Sequence, residues 1–459
     1  MTGTARAAVA TAVALIGWHA AIGPRTWSPA VAHAGAAAGA ATRTPEATPA
    51  GDVAWLRARL AGAPAGAVID IPAGDYRGNV VIDRPLHLRG MGHVILRGDG
   101  TTHVVAVRAP DVVLENLEVR GSGMDLTKDH AGIHVTGARV VIRHVRIADC
   151  LHGIYVRQAD GARIEDSDIV GRPDDGARDP LPPGPDGPGA GETCEVPLDQ
   201  NARGNGIHLW NSRGHVIARN VIRGTRDGIY FSFVDDADVS GNVITGVRYG
   251  LHYMYSDGNR FERNVFRDDA AGAALMYSKG ITLRDNRFEA NRGRRAYGLL
   301  LQSVDDTRVE RNRIAGNTLG LYAENSHGNE VRDNRITDNH VGLRISDSSD
   351  GNVFAGNTFS GNVHAVETSG TNVANRWSDA GRGNYWDGAA RLDLDGNGIG
   401  DLPHREVDLF GALRRGFPEI GLLAGSPGER LLRFVHARIG VPGLSGVVDP
   451  APLVREDGR

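Results

Sequence analysis

A repeat of 22 residues runs through most of this chain and limits the folds open to it. Segments of glycine followed by an aliphatic residue keep this step at Gly206, Gly228, Gly250 and Gly272, and again at Gly298, Gly320 and Gly342. A second column of asparagines has the same step at Asn220, Asn242, Asn264 and Asn286. Two columns with one period do not arise by chance, so the sequence predicts a solenoid of stacked repeats.

The repeats have the pattern of strands. Apolar residues alternate over a few positions, as in Ile207-His208-Leu209, and are flanked by Gly, Asn and Asp. Coils of this length fit three short strands and stack at roughly 4.8 Å, the spacing of paired strands. One coil cannot bury its own apolar face, so its neighbours must supply stability. We therefore predict an all-β protein, a right-handed parallel β-helix of about a dozen coils.

The repeat also divides the chain into segments. Residues 1–34 contain Arg6, an apolar run and Ala32-His33-Ala34, a pattern that predicts a cleaved signal peptide instead of a membrane anchor. Residues 35–50 are predicted to be a disordered linker, 51–388 the β-helix, and 389–459 an Asp-rich loop with a C-terminal docking segment. Residues 171–203 are rich in Pro, Gly and Asp and interrupt the period, which predicts an external loop.

Both ends of a β-helix need covering, because exposed sheet edges invite aggregation. Residues 52–60 predict a short helix that covers the N-terminal end. Near the other end, Ser426-Pro427-Gly428-Glu429 has the pattern of a capping box. It predicts a helix over 427–439 that presents apolar side chains to a partner: Leu431, Leu432, Phe434 and Val435.

Charge and cysteine content add two constraints. The formal net charge is −4, with charges of both signs interspersed, so nothing favours nucleic-acid binding. The two cysteines, Cys150 and Cys194, could pair in an oxidising compartment or remain thiols.

Two columns of residues are predicted to point outward from successive strands. The first contains His134, Tyr155, His208, Tyr230, His252 and Ala274; the second contains Trp210, Ser232, Met254 and Met276. Three interpretations remain open at this stage. The columns could be ladders that only stabilise the coils, a protein-docking face or a site of metal ligation.

The residue types on this face suggest specific candidates. Imidazole and thioether groups suit copper, and methionine selects Cu(I). The copper candidates are His208, His252, Met254 and Met276. Aromatic side chains and methionine also make adaptable protein-binding surfaces. The candidates for partner contact are Trp210, Tyr230, Tyr253 and Tyr255.

A second candidate metal site follows the repeat. Its oxygen ligands match the first part of a Ca²⁺ loop, and they are Asp393, Asp395, Asn397 and Asp401. His404 stands where that loop needs a bidentate acid. A turn held by its own Asp and Asn side chains is the alternative, and any Ca²⁺ bound here would be structural.

An enzymatic role is not expected. Many β-helices cleave polysaccharides, and glycoside hydrolases use paired carboxylates at set separations. The acidic pairs here, Asp235-Asp236 and Asp305-Asp306, are adjacent in sequence and would point in different directions. A polysaccharide lyase or epimerase, or a sugar-binding module, remains the alternative.

Several runs resemble the NosD family. They are the segments 204–212 (Gly-Asn-Gly-Ile-His-Leu-Trp-Asn-Ser), 227–233, 249–256, 383–387 and 393–401. The resemblance implies a periplasmic accessory protein for maturation of nitrous oxide reductase, which assists assembly of the copper centres. It further implies work with an ABC transporter (permease and ATPase) and a copper chaperone, and attachment to the membrane only through that partner.

Overall fold

The computed structural model describes residues 53–172, 203–292, 296–346, 348–368, 374–406, 418–423, 426–428, 431 and 447–456. The predicted signal peptide and linker, most of the predicted loop, Cys194, Leu432, Phe434 and Val435 lie outside the described residues. No helix within the described ranges is long and apolar enough to cross a membrane.

The chain winds into a right-handed parallel β-helix with three faces, as predicted. Face A, which carries both outward columns, has 12 strands: Val80–Ile82, Val105–Val107, Ala131–Val135, His152–Arg157, Ile207–Arg213, Asp227–Asp235, Tyr249–Met254, Ala271–Lys279, Tyr297–Asp305, Leu319–Glu324, Val341–Ile345 and His364–Thr368.

The other two faces begin with the long strands Val68–Arg77 and His87–Arg97, which span both of them. Face B continues with Val113–Glu115, Val141–Arg143, Arg163–Glu165, Val216–Ala218, Asp238–Ser240, Arg260–Glu262, Thr282–Arg284, Arg308–Glu310, Glu330–Arg332 and Val353–Ala355. Face C continues with Glu118–Arg120, Arg146–Ala148, Asp168–Val170, Val221–Arg223, Val243–Thr245, Val265–Arg267, Arg287–Glu289, Arg313–Ala315, Arg335–Thr337, Thr358–Ser360 and Tyr385–Trp386.

Close stacking of coils explains the glycine column. A Cβ added to Gly228 would lie 2.5 Å from Ile244 Cγ2 and 2.6 Å from the carbonyl oxygen of Gly250. A methyl group does not fit at such distances. The coils from Gly132 to Gly342 therefore carry glycine where face A begins, so that the next coil and an inward side chain can approach.

The asparagine column forms a buried ladder along the stack. In each rung the backbone N–H and the side-chain Nδ2 of one asparagine donate to Oδ1 of the next. Asn242 N and Nδ2 lie 3.0 and 2.9 Å from Asn264 Oδ1. Asn242 Nδ2 also donates to the Ile217 carbonyl at 2.8 Å. These bonds satisfy polar groups that the stacking removes from water.

Both ends of the solenoid are covered. Helix α1 (Val53–Gly62) buries Val53, Leu56 and Leu60 at the N-terminal end, as predicted. At the other end, strand Val447–Asp449 pairs antiparallel with His404–Glu406. The buried Asp449 carboxylate accepts from Trp386 Nε1 at 2.8 Å and from the Asn384 N–H at 2.6 Å. Part of the segment predicted for docking therefore seals the last coil.

Two short 3₁₀ helices, Leu126–Lys128 and Pro418–Leu423, complete the described elements. Cys150 is a free, buried cysteine. Burial raises the pKa of the Cys150 thiol to about 12. This thiol behaves as a small core residue.

Candidate functional site

The first outward column of face A has the predicted register. Tyr155 pairs with His134 and His208, and Tyr230 pairs with His208 and His252. Centroid distances between successive rings, from His134 to His252, are 5.4, 4.4, 4.5 and 4.9 Å. His103 stacks on His134 at 4.1 Å and extends the series. We call these six rings the ring column: His103, His134, Tyr155, His208, Tyr230 and His252.

Packing of the rings desolvates their polar atoms. Burial lowers the pKa of His103 and of His134 to about 4, and it lowers the pKa of His208 well below its usual value. Burial disfavours the charged imidazolium. These three histidines are therefore neutral at pH 7.

His252 belongs to a buried polar network. Asp227, fully buried beside it, accepts from Arg248 Nε at 2.9 Å and from Arg248 Nη2 at 2.7 Å. His252 Nδ1 lies 3.1 Å from Asp227 Oδ2. Burial opposes ionisation of Asp227, but the bonds from His252 and Arg248 hold its pKa well below the usual range. Because an ionised carboxylate only accepts hydrogen bonds, His252 Nδ1 is the donor to Asp227, and this bond orients the ring.

The second outward column runs beside the ring column. Trp210 pairs with Ser232, Ser232 with Met254, and Met254 with Met276. The Arg157 guanidinium lies over the Trp210 ring at 5.2 Å. The two methionines are thus direct neighbours in successive coils, with Met254 partly exposed and Met276 buried.

The copper candidates do not all come together. His252 and Met254 are two residues apart on one outward strand face, and Met276 lies opposite Met254. His208 lies two coils from His252, with the Tyr230 ring between them. Within the described ranges no group of three His, Cys, Asp or Glu could hold a metal ion.

The prediction that Tyr253 contacts a partner is wrong. Tyr253 is fully buried, with its hydroxyl donating to the Ser256 carbonyl and accepting from Asn259 Nδ2 at 2.6 Å. Alternation explains the error, because His252 and Met254 point outward and the residue between them must point inward.

An exposed aromatic stack lies where the middle strands of face A turn. Phe233, Tyr255 and Tyr277 are 52%, 48% and 41% exposed, and successive ring centroids are 5.1 Å apart. The interplanar angles are 10° and 12°. We call these three residues the aromatic corner. The sequence analysis singled out only Tyr255, although the 22-residue spacing of all three was a usable signal.

The calcium candidates lie in a loop held by its own side chains. Asp393 Oδ1 accepts from the Asn397 N–H at 3.1 Å, and Asp393 Oδ2 from the Gly398 N–H at 3.0 Å. Asp395 Oδ2 accepts from Asn397 Nδ2 at 2.8 Å, and Asp401 Oδ2 from the Leu394 N–H at 2.7 Å. The geometry is that of an Asx-rich turn. Calcium binding here stays a prediction.

Of the four apolar residues predicted to dock through a C-terminal helix, Leu431 alone is among the described residues. Its side chain is 63% exposed. Docking through residues 427–439 therefore also stays a prediction.

Comparison with known proteins places the chain in a family. A family model described as periplasmic copper-binding protein (NosD) matches residues 190–390. A Pseudomonas aeruginosa protein named probable ABC transporter binding protein NosD is 35% identical over 404 residues, which cover 84% of this chain and 87% of that protein. This chain belongs to the NosD family. A Stutzerimonas stutzeri NosD protein of the same name is 32% identical over 405 residues, with 84% and 86% covered.

Solved structures similar to this NosD-family chain share its fold. The A-module of the Azotobacter vinelandii mannuronan C-5 epimerase AlgE6 is 14% identical, with a TM-score of 0.52, and the match covers 72% of this chain and 96% of that one. Such a likeness shows a parallel β-helix and nothing of the chemistry.

Proposed function

We propose that this chain is a periplasmic accessory protein that assists copper-centre assembly in nitrous oxide reductase, together with an ABC transporter and a copper chaperone. Membership of the NosD family supports this role, since its model is described as periplasmic and copper-binding. The name of these relatives, probable ABC transporter binding protein NosD, supports the association with a transporter.

The observation that carries the proposal is the composition of face A. Its outward columns bring neutral imidazoles, tyrosines, a tryptophan and two adjacent methionines onto successive coils. A soft-donor surface of this kind suits proteins that exchange Cu(I), and aromatic side chains suit transient protein contact. Copper is the cargo of this surface and not a resident cofactor.

Of the copper candidates, we propose that Met254, which is partly exposed, contacts Cu(I) together with its buried neighbours His252 and Met276. Met254 and Met276 are neighbours across one coil step, and Asp227 fixes the orientation of His252. His208 is excluded from this set by the intervening Tyr230.

A Cu(I) competition titration of the purified mature chain under reducing conditions tests this assignment. We expect Met254→Leu/Met276→Leu to weaken Cu(I) binding by about tenfold or more, since leucine keeps the volume and removes the sulfur. Met91→Leu, which removes the same sulfur from an exposed position outside face A, is the matched control and should change it little. Equal affinities in all three proteins would leave face A as a docking surface without copper contact.

The competing function is a carbohydrate-active enzyme or sugar-binding module, which the epimerase fold alone could suggest. The described structure favours the accessory role. Asp227, the fully buried acid of face A, is held by Arg248 and His252 and so is not poised to act as an acid or base near neutral pH.

A further inference from the structure

The aromatic corner is built at a conformational cost. Phe233, Tyr255 and Tyr277 have φ angles of 56°, 50° and 53°, in the left-handed region that bulky residues avoid. The equivalent positions in neighbouring coils have the same conformation but carry Asn211, Ser303 and Asn325. Asparagine tolerates this conformation far better than an aromatic residue. Stability of the coil therefore does not require aromatic residues at these three positions.

The aromatic corner also leaves apolar surface exposed to solvent. Every other Phe, Tyr and Trp side chain that the structure describes is buried or half-buried. The three rings are locked by mutual stacking, so little side-chain entropy would be lost when a partner covers them. Rigid, pre-stacked aromatic side chains are the usual anchors of protein interfaces.

Acidic side chains border the aromatic corner. Asp235 and Asp236 follow Phe233, Asp257 follows Tyr255, and Asp305 and Asp306 lie one coil beyond Tyr277, with Lys279 between them. Most acids on faces B and C are paired, as Asp238 is with Arg260 and Asp285 with Arg311. None of these five aspartates forms an ion pair within the described ranges. Asp235, Asp257 and Asp305 each accept one backbone N–H from the next coil, at 2.8 Å. No cation among the described residues neutralises the five carboxylates, so they leave net negative charge beside the rings.

We propose that the aromatic corner, with its aspartate border, is the docking site for a protein partner that presents basic side chains around an apolar centre. The bordering aspartates supply charge complementarity, which steers association, and the aromatic rings supply the apolar contact. Arginine from the partner would also lie favourably against the tyrosine rings. The corner continues directly from Met254 and Met276, so a protein docked here reaches the proposed Cu(I) contacts. This inference rests on the proposed function for the identity of the partners to be tested.

The experiment measures the dissociation constants of the purified mature chain for the host's apo nitrous oxide reductase and copper chaperone. The variant Phe233→Asn/Tyr255→Asn/Tyr277→Asn places at the corner the residue that the chain itself uses at 211 and 325. It should fold, and Tyr255→Asn alone is the milder form. Met91→Ser removes a side chain that is 52% exposed near the N-terminal end and is the matched control.

We expect the triple variant to weaken binding of one partner by about 30-fold or more, the effect of losing central aromatic anchors. The control should bind as the unchanged chain does. Asp236→Asn/Asp306→Asn should slow association at low salt and have little effect at high salt, because screening removes steering.

Two results would overturn the inference, and only one of them would also overturn the proposed function. If the unchanged chain binds a partner and the triple variant binds it equally well, the corner is not the docking site, and the proposed function stands. If the unchanged chain binds neither protein, both the inference and the partners named in the proposed function fail.

Discussion

Asp269 occupies a place in a ladder where the following coils carry asparagine. Its N–H donates to Asn291 Oδ1 at 3.1 Å, and its Oδ1 accepts from the Val247 N–H at 3.0 Å. Its Oδ2 has no partner among the described residues. In the next rung, Asn291 Nδ2 fills the equivalent role by donating to Asn317 Oδ1 at 3.0 Å. A protonated Asp269 could donate in the same way.

We predict that Asp269→Asn stabilises the protein at pH 7 by about 1–3 kcal/mol, because it supplies the missing donor. Burial raises the pKa of Asp269 well above its usual value. The folded state therefore binds this proton more tightly, and its contribution is fully present below the unfolded-state pKa and lost as pH rises through the folded-state pKa. Denaturant unfolding between pH 4 and pH 8 should show that loss in the unchanged chain and not in the variant.

The control for this prediction is Asp238→Asn, at an exposed position that pairs with Arg260. A surface pair contributes little, so this variant should stay within about 1 kcal/mol of the unchanged chain. If the free energy of unfolding of Asp269→Asn still falls with rising pH as steeply as that of the unchanged chain, the proton is bound elsewhere.

Single residues also mark what the sequence could reveal. The glycine and asparagine columns predicted the coils because each residue contacts the equivalent residue of the next coil. The interaction therefore recurs at a fixed spacing in the sequence. The inward direction of Tyr253 follows from strand alternation, whereas the side-chain direction at the aromatic corner was harder to predict. A left-handed residue at 255 interrupts the strand alternation, and one sequence does not show where that occurs.

At the scale of the element, the strands of face A depend on close approach at their first residues. Gly228→Ala would place a methyl group 2.5 Å from Ile244 Cγ2 and 2.6 Å from the Gly250 carbonyl oxygen of the next coil, and both contacts are too short. We predict a loss of about 1–3 kcal/mol in the free energy of unfolding, measured by denaturant titration.

Gly388→Ala is the matched control for the strand glycine, since nothing lies within 4 Å of an added Cβ there. It should be close to neutral. A Gly228→Ala protein as stable as the control would mean that the coils are less tightly stacked than described.

At the scale of the molecule, the solenoid is one continuous stack of coils with three faces. Its coils are joined by ladders on all three faces, and its ends are covered by helix α1 and by the strand Val447–Asp449. The fold could be predicted from the sequence because it repeats. The candidate site could be predicted only in part, because the proposed partner contact and Cu(I) contact depend on side-chain packing that no repeat encodes.

The most direct test of the central claim uses a host strain from which this chain has been deleted. Nitrous oxide reductase is purified from the deletion strain and from strains complemented with the unchanged chain or with Met254→Leu/Met276→Leu, and its copper content is measured. We predict copper-poor reductase in the deletion strain, restoration by the unchanged chain and incomplete restoration by the variant. A fully copper-loaded reductase in the deletion strain would contradict a role in copper-centre assembly.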